Sequence, residues 1–306
     1  METKDPVYHR PVMLSECLEG LALRPDGVYV DVTFGGGGHS KAILEKLTSG
    51  RLFGFDQDPD AFEQSKAITH PGFTLIRANF RFIRQYLRVH GIQQVDGILA
   101  DLGISSHQID TPERGFSTRF DGALDMRMNP TVGISARDLL AEASAEELHR
   151  YLGMYGEIKN AKTVAQALVS ARSARPLETI GELKNVLQPL APRGKEFKFF
   201  AQVFQALRIV VNEEMAVLEE FLQQVPTLLK PGGRLVVMSY HSLEDRPVKN
   251  FIRSGKFFGE VEKDFFGNEI KPLRAINRKA IEATPHEIAI NPRARSAKLR
   301  IAEPNV

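Results

Sequence analysis

Apolar positions in the first hundred residues follow two alternating rhythms, and the alternation predicts strands and helices in turn. Leu14, Leu18 and Leu21 share one face of a helix over 12–23, which Pro25-Asp26-Gly27 ends. Four short, nearly unbroken apolar runs follow at Val28–Val32, Arg51–Asp56, Phe73–Arg77 and Val95–Asp101. Helical patterns separate them at 40–47, from Pro59 onward, and at 80–90, where the polar face is basic. Strands apolar on both sides, each followed by a helix, predict a parallel sheet covered on both faces.

After Asp101 the rhythm stops. Residues 103–133 are rich in Gly, Asp, Arg and Met and carry no clean period. Helices are predicted over 144–152, 158–174, 180–190 and, as one long element, 197–224. Ser135 with Asp138 and Ser144 with Glu147 have the spacing of capping boxes. The strand rhythm returns at Arg234–Tyr240 after a Lys230-Pro231-Gly232-Gly233 turn. A helix over 243–253 follows, and Lys298–Ile301 reads as a last strand. The expected fold is α/β: a doubly wound, Rossmann-like sheet with an inserted all-helical domain. Residues 1–105 and 206–306 form one discontinuous domain, and 106–205 form the insertion.

Composition narrows the class. Apolar residues at 42% and charged residues at 25% exclude a wholly disordered chain. Forty basic against 38 acidic side chains leave +2, which excludes a surface uniformly coated in base. The charge is uneven, however: residues 271–300 carry eight basic and two acidic side chains, a net of +6. Such a segment reads either as a phosphate-backbone contact or as a solvated tail. The single cysteine, Cys17, can form neither an intrachain disulfide nor a thiolate metal cluster, and its apolar helical setting points to packing. Met1–Pro6 is polar and lacks the core of a signal peptide, and no apolar run approaches the ~18 residues of a membrane helix. A cytoplasmic protein without a membrane partner is expected.

The candidate chemistry lies at strand ends. Asp31-Val32-Thr33-Phe34-Gly35-Gly36-Gly37-Gly38-His39-Ser40 joins the first strand to the first following helix. Glycines there allow a tight reversal and the close approach of a ligand to backbone, and ligands of doubly wound sheets sit at these strand ends. Asp56 stands 21 residues after Gly35, where an acid meets the hydroxyls of an adenosine ribose. That acid suits a nicotinamide dinucleotide and S-adenosyl-L-methionine alike. Ser40 at the place of a third fingerprint glycine favours the methyl donor. So does Asp31, which can receive charge from an ammonium or its bridging water.

Asp101, closing the fourth strand in Asp101-Leu102-Gly103-Ile104-Ser105-Ser106, is the candidate catalytic residue. An exocyclic base amine shares its lone pair with the ring and attacks poorly; a carboxylate accepting its hydrogens holds it for transfer, and alignment supplies much of the acceleration. No metal is needed. The alternative is that Asp101 binds the donor or caps a turn. Ser242 with Asp245 has capping-box spacing, and Tyr240 and His241 reach the same rim, where an aromatic ring can stack on an extruded base. His39 reads equally as a ligand contact and as a local cap.

Together these residues resemble the RsmH (MraW) methyltransferase family, which methylates the exocyclic amine of a cytidine in the decoding region of 16S ribosomal RNA. The matches run in order along the chain: His9–Glu16, Asp31–Ser40, Phe55–Pro59, Asp96–Ser106, Glu113–Ser117, Gly122–Met128, Phe204–Ile209, His241–Arg246 and Asn291–Ser296. The resemblance implies a donor site at Gly37, Gly38, His39, Asp56, Phe80, Asp101 and Gln108, with Phe80 beside adenine. It makes the insertion a substrate-recognition domain, whose Phe116, Arg119, Phe120 and Arg127 mix aromatic and guanidinium groups as single-stranded RNA recognition does. Arg293 and Arg295 in the basic tail complete the expected RNA contacts, with Tyr240 and His241. Two places depart from the family pattern. Lys198–Val203 replaces a His-Pro-Ala-Thr-Arg run, and Ala123 stands where proline is usual.

The expected activity is transfer of a methyl group from S-adenosyl-L-methionine, leaving S-adenosyl-L-homocysteine, to cytosine N4 of 16S rRNA in the small ribosomal subunit. Rival readings are an amino-methyltransferase for DNA, another RNA or a small molecule, a nicotinamide dehydrogenase, and a non-catalytic ribosome assembly factor. Against DNA, Leu102-Gly103-Ile104 stands where a Pro-Pro-aromatic run is usual. The sequence leaves the oligomeric state open, a homodimer included.

Overall fold

The computed structural model describes residues 11–305; Met1–Pro6, His9 and Arg10, named in the sequence reading, lie outside the described residues. Along the chain come α1 (Leu14–Leu21), β1 (Val28–Asp31), α2 (Gly38–Leu44), β2 (Arg51–Asp56), α3 (Pro59–Ser65) and β3 (Phe73–Arg77). A 3-10 turn at Phe80–Phe82 leads into α4 (Ile83–Val89), and β4 (Val95–Asp101) follows. Six helices succeed it: α5 (Ser106–Asp110), α6 (Ala136–Glu142), α7 (Ala145–Gly156), α8 (Ala161–Ala174), α9 (Ile180–Leu187) and α10 (Glu196–Val211). The chain then runs through α11 (Glu214–Leu228), β5 (Leu229–Ser239), α12 (Ser242–Ser254), β6 (Glu262–Lys263), β7 (Glu269–Ile270), β8 (Leu273–Ala275), β9 (Ile281–Glu282), α13 (Pro285–Ile290) and β10 (Lys298–Pro304).

The large sheet has the order β3-β2-β1-β4-β5-β10-β8, with β9 also on β10. The five strands from β3 to β5 are parallel, and β10 is antiparallel to β5, β8 and β9. Side chains alternate between the two faces. Ile98 and Ala100 of β4, with Leu235 and Val237 of β5, enter one apolar layer that includes Phe221 and Leu222 of α11. Leu99, Val236 and Met238 enter the opposite layer, with Cys17 and Leu21 of α1. Cys17 is fully buried there, as packing requires. The chain direction reverses across the sheet between β1 and β4, and a ligand site belongs at that point.

Two compact units make up the chain: one runs to Gly103 and resumes at Ala216, and the other is Ile104–Met215. The second unit has its own core, in which Leu148, Leu152, Val164, Leu168, Leu183 and Val203 are buried. Sequence reading set its limits at 106 and 205, and the later limit falls inside α10. The single helix expected over 197–224 is broken at Asn212 and Glu213. Asn212 Nδ2 donates to the Arg208 carbonyl at 2.9 Å and to the Met126 carbonyl at 2.8 Å, while its Oδ1 receives the Met128 amide at 2.7 Å. With the side chain occupying the last turn and Glu213 at φ 51°, the helix cannot continue.

Other expectations also shifted. Both predicted capping boxes form at Ser135 and Ser144. Lys230–Gly233 is not a turn before β5 but a bulge within it: Val95 pairs with Leu229 and Gly97 with Arg234. The Lys198–Val203 departure has a packing reason, since Phe199, Phe200 and Val203 are core residues of the helical unit. The short strands β6 to β9 carry too little apolar rhythm to be foreseen. Among the described residues no helix is long and apolar enough to cross a membrane.

One local conformation gives a direct stability test. Ala22, exposed, caps the end of α1 in the left-handed region at φ 49°, where an L side chain costs ~1–2 kcal/mol. Ala22→Gly removes that cost and restores part of it as unfolded-chain entropy, so it should stabilise the protein by up to about 1 kcal/mol in chemical denaturation. A destabilised variant would contradict the assignment of strain to this cap.

Candidate active site

The carboxyl ends of β1, β2 and β4 bring Asp31, Asp56 and Asp101 around the glycine loop. Asp31 is buried. Its Oδ2 accepts the Ser40 hydroxyl at 2.7 Å and its Oδ1 the Thr33 amide at 3.1 Å. It therefore braces the loop from inside, and of the two routes expected for it, an ammonium or its bridging water, the buried position favours the water. This assigns a second meaning to Ser40: the hydroxyl at the third fingerprint position is a partner for Asp31.

The loop above it turns at Gly37, φ 75°, where a Cβ would also lie 2.7 Å from the Phe34 ring. Gly36, by contrast, has nothing within 4 Å of where a Cβ would stand. Its bare backbone faces open space, as a close ligand approach requires. Gly38 is the first residue of α2, packed against Pro11. Asp56 ties this loop to β2: its Oδ2 accepts the Gly35 amide and its Oδ1 the Asp58 amide, each at 2.8 Å. Two acceptor positions of the half-buried carboxylate remain. Asn79 Nδ2 donates to Gln57 Oε1 at 3.2 Å, joining the ends of β3 and β2. The next residue, Phe80, is half-buried with its ring edge-to-face on Phe221 at 5.3 Å.

Asp101 is held from two sides. Its amide donates to Thr33 Oγ1 at 2.7 Å, and its Oδ1 accepts the Tyr240 hydroxyl at 2.7 Å. Its Oδ2 stands 3.8 Å from His39 Nδ1. His39 is buried within α2 and its Nε2 lies 3.0 Å from the Val12 carbonyl, so it is not the local cap that sequence reading allowed. A carbonyl only accepts, so Nε2 carries a hydrogen and Nδ1 is the ring nitrogen turned toward Asp101. His39 Nδ1 and Asp101 Oδ2 thus face one another beside the glycine loop.

Desolvation sets the electrostatics. Burial pushes the Asp56 carboxyl up to about 6, against the two backbone amides, with Asp58 and Asp31 adding to the rise. Burial likewise pushes Asp101 up to about 6, against His39 and the Tyr240 hydrogen bond, with Asp31 and Glu244 adding to it. Asp31 is raised chiefly by its own burial. Three poorly solvated carboxylates make the loop a site for a cation. A pyrophosphate here would meet like charge.

The returning strand β5 brings Tyr240 to Asp101, and Glu244 fixes the exit turn. The Glu244 Oε2 accepts the Tyr240 amide at 2.8 Å, and its Oε1 lies 3.0 Å from His241 Nε2. Tyr240, expected at this rim, gives its hydroxyl to Asp101. The expected Ser242–Asp245 box does not form. His241 is the N-cap of α12, accepting the Glu244 amide, and Asp245 pairs with Arg300 at 2.7 and 2.9 Å. His241 is therefore engaged in the cap, its side chain 15% exposed. Thr33 and Glu244 were missed by sequence reading; their only signals were positions two residues after Asp31 and four after Tyr240.

Most of the other residues expected from the sequence are engaged within their own unit. Gln108 closes the capping box of α5 with Ser105. Phe116 is 8% exposed in the core of the helical unit, so its ring is not offered to a base. Arg127 is paired with Asp125 at 2.6 Å. Arg119 is exposed over the half-open Phe120 ring and paired with Asp110 at 3.0 Å. In the basic tail, Lys271, Arg274 and Arg300 pair with Glu269, Glu303 and Asp245. Arg293 is half-buried in a 3-10 turn, and Arg295 in the same turn is exposed.

The model of a family described as the MraW methylase family matches residues 6–305. The chain is 57% identical over 297 residues to the ribosomal RNA small subunit methyltransferase H of Cytophaga hutchinsonii, covering 97% of this chain and 99% of that protein. It is 55% identical over 305 residues to the protein of the same name from Parabacteroides distasonis, covering 99% of each. The protein of that name from Flavobacterium johnsoniae is 56% identical over 297 residues, covering 97% of each chain.

The Tyr240 hydroxyl lowers the Asp101 carboxyl against the effect of burial. Tyr240→Phe should therefore move the Asp101 titration above its value of about 6, read by carbon NMR of the carboxyl. An unchanged or lower midpoint would show that the hydrogen bond does not stabilise the carboxylate.

Proposed function

The chain belongs to the MraW methylase family, and from that premise we propose that it methylates the exocyclic N4 of a cytidine in the decoding region of 16S ribosomal RNA. It is a methyltransferase using S-adenosyl-L-methionine, and its acceptor is small-subunit ribosomal RNA. The observation that carries the cytosine reading is the Asp101 carboxylate beside the glycine loop, whose Oδ1 is taken by the Tyr240 hydroxyl and whose Oδ2 is left to accept a hydrogen. An amine, with hydrogens to give, is the complement of that oxygen.

The residues fit the donor. The open side of Gly36 admits a close contact, the outward acceptors of Asp56 suit ribose hydroxyls, and the half-buried Phe80 ring offers a face to adenine. The carboxylate cluster favours a molecule that carries positive charge. S-Adenosyl-L-methionine, when bound, supplies a methyl group on a sulfonium and hence an electrophilic carbon.

This chain's residues do the rest. Asp101, ionised above about pH 6, accepts a hydrogen of the base amine and fixes its direction. Tyr240 occupies Oδ1, which leaves Oδ2 for the acceptor. Thr33 and the Val12–His39 contact keep both partners in place. As the new N–C bond forms and the methyl's bond to sulfur breaks, with its electron pair staying on S-adenosyl-L-homocysteine, the amine loses a proton to Asp101 or to water. The helical unit is read as the substrate-recognition domain, and the acceptor as RNA in the small ribosomal subunit, which sets the reaction in the cytoplasm. A nicotinamide dehydrogenase is disfavoured by the same carboxylates.

Asp101→Ala should lower kcat at least about 100-fold in labelled-methyl transfer to 16S rRNA, the scale of one lost polar group at a reacting centre. The wild-type rate should fall on the acid side near pH 6, as the carboxylates that hold amine and donor protonate. Near-normal turnover of the variant would remove Asp101 from the mechanism. Arg295→Ala should weaken RNA binding and reduce the salt slope by roughly 0.7–0.9, the share of one phosphate contact. An unaltered slope would make the tail bystander surface. Nucleoside analysis of naked RNA, immature subunits and mature subunits, assayed in parallel, identifies both the base and the acceptor particle.

A further inference from the structure

The basic helix seen in the sequence has no part in the site above. Arg81, Arg84, Gln85 and Arg88 recur at i, i+3, i+4 and i+7 and therefore share one face of the 80–89 segment. With Phe82 and Gln224 they line a groove of about 460 Å³ between α4 and α11. Gln224 clamps the two helices: its Nε2 donates to the Arg81 carbonyl at 2.8 Å and its Oε1 accepts the Arg84 amide at 3.3 Å.

Only one of the three cations is neutralised. Arg81 forms a two-point pair with Glu220, at 2.8 and 2.5 Å. Arg84 donates to the Thr227 hydroxyl, which carries no charge. Arg88 is exposed, and no acidic partner is found for it among the described residues. Like charges on successive turns cost the helix a few tenths of a kcal/mol, so the fold does not account for this stripe.

We propose that this groove is a second RNA-binding surface, in which Arg84 and Arg88 take phosphates of the ribosomal RNA while Phe82 offers its ring to a base. The inference rests on ribosomal RNA being the acceptor. Arg84 and Arg88 stand one turn apart, about 6 Å along the axis, so they can take neighbouring phosphates. A guanidinium fork matches a phosphate in two hydrogen bonds. Phe82 is 47% exposed at the edge of the groove, and an exposed ring beside guanidiniums is the combination that holds single strands without regard to sequence. Exposure of both Phe82 and Arg88 makes this an open channel that suits a polymer better than an enclosed small anion. The groove begins one residue after Phe80, so an RNA lying in it stays connected to the methyl-transfer rim.

The test is filter binding of transcribed 16S rRNA between 50 and 200 mM salt, with wild type, R84Q/R88Q and the charge-matched surface pair K46Q/K66Q. The groove variant should bind more weakly than the control pair and lose roughly 1.4 from the salt slope, two contacts at ~0.7 each for single strands. Its affinity for S-adenosyl-L-homocysteine and its melting temperature should match wild type. R88E, a single exposed substitution, repeats the test should the double variant melt early. Slope and affinity equal to those of the control pair would overturn the proposal. Methyl incorporation, measured in parallel, separates the two claims. Groove-dependent binding without methylation by wild type would contradict the function while supporting the groove; methylation with groove-independent binding would do the reverse.

Discussion

Three carboxylates crowd the carboxyl ends of three adjacent strands, and the site depends on how they are held there. Burial leaves these charges poorly hydrated, and that, with a smaller part from their mutual repulsion, is why Asp56 and Asp101 both rise to about 6. The protein tolerates the arrangement because each acid is fixed by donors: backbone amides at Asp56, Ser40 and Thr33 at Asp31, and Tyr240 at Asp101. What remains is negative potential directed at the open side of the glycine loop. A positively charged donor relieves it, which turns the repulsion among the acids into selectivity for the ligand.

The sheet supplies the geometry without further devices. Its order brings β1 between β2 and β4, so the acids ending those strands converge where the connections diverge. Placing β5 next to β4 then delivers Tyr240 to Asp101, from 139 residues away in sequence. Glu244, buried at the start of α12, holds the exit of β5 through the Tyr240 amide. The pairing partner of Asp101 thus comes from beyond the helical insertion, which makes the return of the chain to the sheet a condition for the site.

Strand ends and the glycine loop were legible because their signals are local: unbroken apolar runs, a run of glycines, and acids at fixed offsets. The helix break at Asn212 was not, because it depends on a side chain reaching Met126 and Met128 some 84 residues earlier. Phe116 and Arg127 show the same limit. Aromatic and guanidinium groups in an irregular segment resemble an RNA surface in sequence, yet one ring is in the core and the guanidinium is paired. Tyr240 was legible as a residue of the rim, but its bond to Asp101 was not, since a hydroxyl's partner across the sheet leaves no trace in spacing. Charge counts misled similarly in the tail, where three of the eight cations are spent on acids outside or beside the segment.

The most direct measurement is calorimetric titration of the donor-free protein with S-adenosyl-L-methionine from pH 5 to 8, repeated in buffers of different ionisation enthalpy. If the carboxylate cluster selects the donor by its charge, affinity rises with pH through about 6 and binding near that pH releases protons to the buffer. Binding with no proton release and no dependence on pH across that range would contradict the account.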